Sequence, residues 1–314
     1  MPPDFADLTD QISLSPYQAI GIPIALIGAI FLALGAQFQH RGVGKVGAAS
    51  IATGGQHGLG PRQLLALLRR PSWVIGTGML GLAVVLQLTS LYFAPLIVVQ
   101  PLGAVALVIT AVVNARVSKV KLDAISIRAI AFCVGGVALF VTVAAVNAES
   151  KPITETQLLT VLIILAVVLT GFAVVFGLLR RRITAIFYIV GAGILFGFVA
   201  TLAKVVIDRI KTLIVTETAI TASEWLTVLC VVGLLAASAL GGYFVQTAYS
   251  SGPPDLVVAG LTVIDPVVAV TIGVVVLGEA ASAPTWSIFA FVLAGALAIY
   301  GVLQLAKHHP ATSR

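Results

Sequence analysis

The sequence predicts an all-α integral membrane protein of about nine transmembrane helices arranged as an inverted repeat, on three observations. Of its 314 residues 59% are hydrophobic and only 10% charged, with a mean hydropathy of +1.11. The apolar residues fall into long runs broken by charge, Pro or Gly, and the basic residues gather in alternate breaks. Soluble domains carry about 25% charged residues, so this composition cannot clothe a water-facing surface. A helix of about 20 apolar residues crosses about 30 Å of hydrocarbon.

The runs lie at about 18–39, 72–92, 95–115, 127–147, 157–179, 184–207, 224–249, 255–277 and 284–306. Ahead of the first, Asp4, Asp7 and Asp10 make an acidic lead with no Lys or Arg. A secretory signal needs a basic one, so the first run is expected to stay as a helix. Phe93-Ala94-Pro95 is the tightest connection, with Pro95 suited to opening a helix. In the Gly-rich loop 42–71, residues 61–70 are too short to span and read as an interfacial helix with basic ends.

Charge orients the set. With the N-terminus outside, fourteen of the eighteen basic residues, including Arg69, Arg70, Arg116, Arg128 and Arg180-Arg181-Arg182, fall on the cytoplasmic side. The positive-inside rule therefore predicts an outer N-terminus and a cytoplasmic C-terminus in the cell membrane. The net charge of +6 comes from these short loops and is no nucleic-acid signal. Cys133 and Cys230 lie within apolar runs and read as small buried hydrophobes.

The two halves of the chain match weakly. Gly28-Ala29 and Arg41 align with Gly191-Ala192 and Lys204, and Trp73 and Gly81 with Trp225 and Gly233. Val99-Gln100-Pro101 aligns with Ile264-Asp265-Pro266, and Phe132 and Gly136 with Phe291 and Gly295. Matched runs are five apart, an odd number, so they cross in opposite senses, as in many secondary transporters. The expected organisation is a first repeat of four spans in 1–150, a linker span in 151–183, an inverted second repeat in 184–306 and a tail in 307–314.

Ala94-Pro95 through Pro101-Leu102-Gly103-Ala104 and on to Asn114 resembles the first half of the NIPA-like branch of the drug/metabolite transporter superfamily. Gly252-Pro253-Pro254, Asp265-Pro266 and Leu277-Gly278-Glu279 resemble the close of that superfamily's EamA-type repeat. The resemblance implies a transporter, and the best-known eukaryotic NIPA-like members are associated with Mg²⁺. Where NIPA-like first halves tend to carry an acid, this chain reads Ser118-Lys119-Val120-Lys121.

A polar group within hydrocarbon costs several kcal/mol unless paired, so each one asks for a reason. Asp265 sits mid-span before Pro266, which lacks an N–H and releases the carbonyl of Thr262. Either this is a coupling site or Asp265 is protonated and bonded to a neighbouring helix. Gln100 before Pro101 is its neutral counterpart, where a plain Pro kink is the bland alternative. Lys204 is expected either to pair with Asp208 at i+4 and reach outward, or to serve as a cavity cation facing Asp265. Gln37, Gln39, Gln87, Tyr92, Asn114, Tyr243, Gln246 and Tyr249 are candidate cavity liners, with Tyr92 and Tyr249 also suited to the interface. Glu279 reads as a solvated helix end at the outer rim. Gly193-x-x-x-Gly197 predicts a close helix contact.

These features point to a secondary transporter of a small polar metabolite or ion, with a NIPA-like magnesium transporter as the alternative and a receptor or assembly scaffold further behind. An intramembrane enzyme is not expected: His40, His57, His308 and His309 sit in loops or near inner ends, and neither H-E-x-x-H nor G-x-S-x-G occurs. No cofactor is expected. The expected partners are the solute or ion and membrane lipid, with a homodimer left open; if a cation is carried, Asp265 is the residue to meet it.

Overall fold

A computed structural model describes residues 16–52, 69–117, 123–148, 152–179, 184–216, 224–251 and 254–307. Among these residues the chain is wholly helical, without strands. The helices are α1 (Pro16–Ala52), α2 (Pro71–Phe93), α3 (Leu96–Leu102), α4 (Ala104–Val117), α5 (Ala124–Asn147), α6 (Glu155–Leu179), α7 (Ala185–Thr216), α8 (Glu224–Ser251), α9 (Pro254–Val275) and α10 (Thr285–Lys307). Eight segments are long and apolar enough to cross a membrane, α3 and α4 together forming one of them, Leu96–Val113. In α9 the described apolar stretch is shorter, Gly260–Val275. This is an all-α integral membrane protein.

Hydrocarbon offers no partner for a backbone N–H or C=O, so each run satisfies its own groups by coiling. Large apolar side chains then serve both surfaces: Leu178 is 81% exposed and Val167 66%, both on α6 at the periphery, while Phe198, Leu195 and Leu202 of α7 are buried. Small ones line the contacts, as Ala25, Ala29 and Ala33 do along α1. Two expected boundaries move. α1 continues past residue 39 to Ala52, within the expected loop 42–71, and α7 continues past 207 to Thr216. Residues 61–68, expected as an interfacial helix, lie outside the described residues.

α1 packs along α2, α7 along α8 and α9, and α5 along α10, while α3 sits between α1, α5 and α9. The α5–α10 contact is backbone on backbone. A Cβ on Gly136 would overlap Ala298, and one on Gly301 would overlap Cys133. Each helix thus gives the other a gap that only hydrogen fills.

Candidate functional site

α3 is buried along almost its whole length, from Leu96 to Gln100 and again at Leu102. Pro101 stands inside it, and the chain turns gently at Gly103 before α4 begins. Gly103 keeps a right-handed helical conformation, φ −58° and ψ −31°, so the two segments run on as one span. Gln100 is 5% exposed, and its Nε2 is buried without a hydrogen-bond partner.

Asp265 also precedes a proline, Pro266, inside α9. Its Oδ1 is likewise buried without a hydrogen-bond partner. Pro266, a candidate helix break because it frees a backbone carbonyl, does not end the helix: α9 continues through it to Val275. Packing supports the weakened turn. A Cβ on Gly193 would come 2.6 Å from Ile264 Cβ and 3.5 Å from Asp265 N, and one on Gly197 would come 2.7 Å from Val268 Cβ and 3.1 Å from Asp265 O. The Gly193-x-x-x-Gly197 face of α7 therefore cradles α9 at the Asp265 turn. The Thr262 hydroxyl is engaged on its own helix, donating to Val258 O at 2.8 Å.

A cavity of about 590 Å³ between α3, α4, α5, α9 and α10 brings Pro101, Thr262 and Pro266 together. Gln100 and Asp265 are not among its described lining residues. Gln37 and Gln87 are half-buried. Tyr243, 54% exposed, and Gln246, also exposed, lie on the outer face of α8 rather than in the interior. The reason is helical phase: Cys230, Ala237, Phe244 and Ala248 form the buried stripe of α8, and residues 243 and 246 fall off it. The side chains of Gln39, Asn114 and Tyr249 lie outside the described residues.

Lys204 resolves between its two expected roles. Its Nζ donates to Asp208 Oδ1 at 3.1 Å and to Leu91 O at 2.8 Å, with only 2% of the side chain exposed. Leu91 is in the last turn of α2, where helix carbonyls lack intrahelical partners and the helix dipole is negative, so the ammonium both caps that end and neutralises Asp208. One turn on, Lys211 Nζ lies over the Tyr92 ring at 4.6 Å and the Tyr17 ring at 5.2 Å.

Glu279 corrects the sequence reading. It is no solvated helix end but is buried, at 3% exposure. Its Oε1 accepts from Leu96 N and its Oε2 from Ile97 N, both at 2.8 Å. α3 starts in the protein interior after Pro95, which has no side-chain acceptor, so its first N–H groups take one from the far end of the chain. The turn after α9 is shaped for this. Gly278 has φ +71°, a left-handed conformation that favours glycine, and the Glu279 N–H donates to Gly273 O at 3.0 Å. At Gly273 a Cβ would come 2.8 Å from Glu279 Oε2. Burial pushes the Glu279 carboxyl above its ordinary value of 4.5, against the pull of the Ile97 and Leu96 N–H groups and of the Lys204 ammonium. The signal that could have found this role was Ala94-Pro95 itself: a buried helix start with no local cap requires a distant one.

Other ties gather at the same end of the bundle. Gln157 closes a capping box with Thr154 at the start of α6, accepting from Thr154 N at 2.9 Å, and its Nε2 donates to Val276 O and Leu277 O, both at 3.1 Å. Gln18 Nε2 reaches Ala148 O at 2.9 Å, and Ser90 Oγ reaches Gly21 O at 2.8 Å. Hydrogen bonds thus tie several helices together at the end where α1 begins, among them those of Lys204 and Glu279. Among the described residues no three His, Cys, Asp or Glu side chains gather as a metal-binding group.

Over 288 residues the chain is 23% identical to an uncharacterised protein of Corynebacterium glutamicum, a likeness covering 92% of this chain and 95% of that one. It is also similar to two Arabidopsis thaliana proteins called probable magnesium transporters: NIPA4, 35% identical over 116 residues, and NIPA1, 29% identical over 123 residues. These two likenesses cover 37% and 39% of this chain, and the chain spans only 32% and 35% of the plant proteins. No protein-family model matches the chain, and no solved structure does. What these comparisons share with the helices described above is a multi-pass membrane protein, part of whose chain is similar to probable magnesium transporters.

Proposed function

We propose that this chain is a secondary transporter of the drug/metabolite transporter type, moving a small polar solute or ion by alternating access through a site built on α3 and α9. One observation carries the reading. Two helices at corresponding places each hold a Pro preceded by a polar side chain, and each side chain keeps a buried polar atom, Gln100 Nε2 and Asp265 Oδ1, without a protein partner. An unsatisfied buried polar atom costs about 1–3 kcal/mol. A donor and an acceptor left over on two helices that pack against each other suit a hydrated ion, or a solute with both kinds of group, that meets them in transit. The inverted repeat is supported by the packing: α1 with α2 parallels α7 with α8, α1 with α3 and α4 parallels α7 with α9, and α5 pairs with its own counterpart α10. In such repeats one half rocks against the other around a fixed mid-membrane site.

A cation as the cargo has its own support. Lys204 would repel a cation if it faced Asp265, but its charge is engaged by Asp208 and Leu91 O, two turns beyond Gly197. Magnesium takes hard oxygen ligands, usually one or two carboxylates with waters retained, and Asp265 offers the carboxylate. The partial likeness to probable magnesium transporters points the same way. The test is flux into liposomes carrying the purified protein, with Mg²⁺ as the probe, with and without a pH gradient, for wild type and Asp265→Asn. Asp265→Asn should retain normal abundance and lose gradient-driven uptake. Full pH-coupled activity in Asp265→Asn would remove this residue from the mechanism.

A further inference from the structure

The cavity between α3, α4, α5, α9 and α10 has a shape and chemistry that the polar site does not use. It is lined along α10 from Ser287 to Val302 and along α9 from Thr262 to Val274. At 1.5 Å per residue these walls are roughly 22 and 18 Å long. A volume of about 590 Å³ spread along these walls makes a slot that is longer than it is wide.

Its described lining presents no unspent side-chain donor. Among the described lining residues only Thr262, Thr271 and Ser287 carry polar side chains, and each donates to a nearby carbonyl: Val258 O at 2.8 Å, Val267 O at 2.7 Å and Pro284 O at 2.7 Å. A polar solute entering would find few partners in place of its hydration, whereas an apolar chain loses nothing. The rim includes Ile288, 58% exposed, and Val292, 68% exposed, so the slot opens on the apolar outer face of the bundle. One end lies at the turn of Ala280 and Ala283, beside the exposed ring of Trp286, a residue type that favours the headgroup level. The slot follows the seam where α9, held by α7, meets α10, held by α5, and it touches both Pro101 and Pro266.

We infer that one acyl chain of a bilayer phospholipid occupies this slot, with its headgroup at the Trp286 end, as a bound constituent of the protein rather than as passing solvent. The occupant separates α9 from α10 and lies against both prolines. This holds whatever the transported solute, so it does not rest on the transport reading.

The experiment uses the full chain in phosphatidylcholine vesicles containing a small fraction of phosphatidylcholine with a photoreactive diazirine on one acyl chain, with adducts mapped by mass spectrometry. Adducts should concentrate on slot residues such as Val263, Val270 and Ile299 over the lipid-facing Leu178. Gly295→Leu projects into the slot, and its Cβ has room, meeting the Phe140 ring edge only at 4.0 Å. It should remove most of the slot labelling by filling the space the chain would occupy, and leave labelling at Leu178 unchanged. Val270→Phe, from the opposite wall, should do the same. Even labelling of slot and outer face, or slot labelling indifferent to both variants, would overturn the inference. So would a cysteine at Val292 that links two copies while slot residues stay unlabelled, because the occupant would then be a second copy of the chain.

Discussion

Truncation of Glu279 should unfold this protein from one end. In Glu279→Ala the Leu96 and Ile97 N–H groups, each now 2.8 Å from a carboxylate oxygen, stay buried without an acceptor. Each orphaned donor costs about 1–3 kcal/mol, so the variant should lose roughly 2–6 kcal/mol. Glu279→Gln keeps one oxygen and turns an NH₂ toward the other donor, and should lose roughly half as much. Gly273→Ala should act through the same carboxylate, because its Cβ would come 2.8 Å from Oε2. It should therefore cost much less in the Glu279→Ala background than alone, a coupling of about 0.5–3 kcal/mol. The assay is equilibrium unfolding in mixed micelles for the four proteins of this cycle. The same assay carries a pH test. Burial raises the folded carboxyl above 4.5, so from there up through the raised value the folded chain keeps a proton that the unfolded chain releases. Stability contributed by this group should fall as pH rises through that window, and Glu279→Gln should remove that part of the slope. A Glu279→Ala variant within about 0.5 kcal/mol of wild type, the range of ordinary surface substitutions, would refute the capping argument.

Three further outcomes are expected. Gly197→Leu should lower folded yield, since its Cβ alone would press on Val268 and Asp265 O, at an overpacking cost of about 1–3 kcal/mol or more; Val190→Leu, on an exposed position of the same helix, is the tolerated control, and equal yields would contradict the cradle. Lys204→Met should destabilise by about 3–5 kcal/mol by leaving Asp208 buried without its cation, and Lys204→Met with Asp208→Leu should recover most of it in the unfolding assay; no recovery would mean that the ammonium acts chiefly on Leu91 O. With Cys133 and Cys230 replaced, a cysteine at Asp7 should label with an impermeant thiol reagent from outside intact cells and one at Arg181 should not; the reverse would overturn the orientation drawn from loop charge.

Membrane folding is unusually legible in sequence because the solvent itself selects long apolar helices. The runs at 72–92 and 127–147 lie within α2 and α5 to within a few residues, for hydrocarbon permits no other spanning backbone here. Gly193-x-x-x-Gly197 was readable for a similar reason, since only small residues allow close approach, and the structure adds what approaches: the Asp265 turn. The polar positions were legible as residues but not as roles. Gln100, Asp265 and Lys204 stood out because charge and amide are costly in lipid, yet sequence alone left Lys204 between two partners.

What the sequence determined by itself, then, was one-dimensional: that the chain is built of long apolar helices, their approximate limits and which positions carry polar groups in an apolar setting. Only the tertiary structure decided which polar groups meet. Glu279 lies 183 residues from the N–H it caps at Leu96, and Lys204 lies 113 from the carbonyl it caps at Leu91. Helical phase in turn carries Tyr243 and Gln246 away from the interior. A helix leaves its need for partners at its ends, and sequence shows that need at Pro95. It does not show the supplier, because the supplier arrives only when nonadjacent helices have packed.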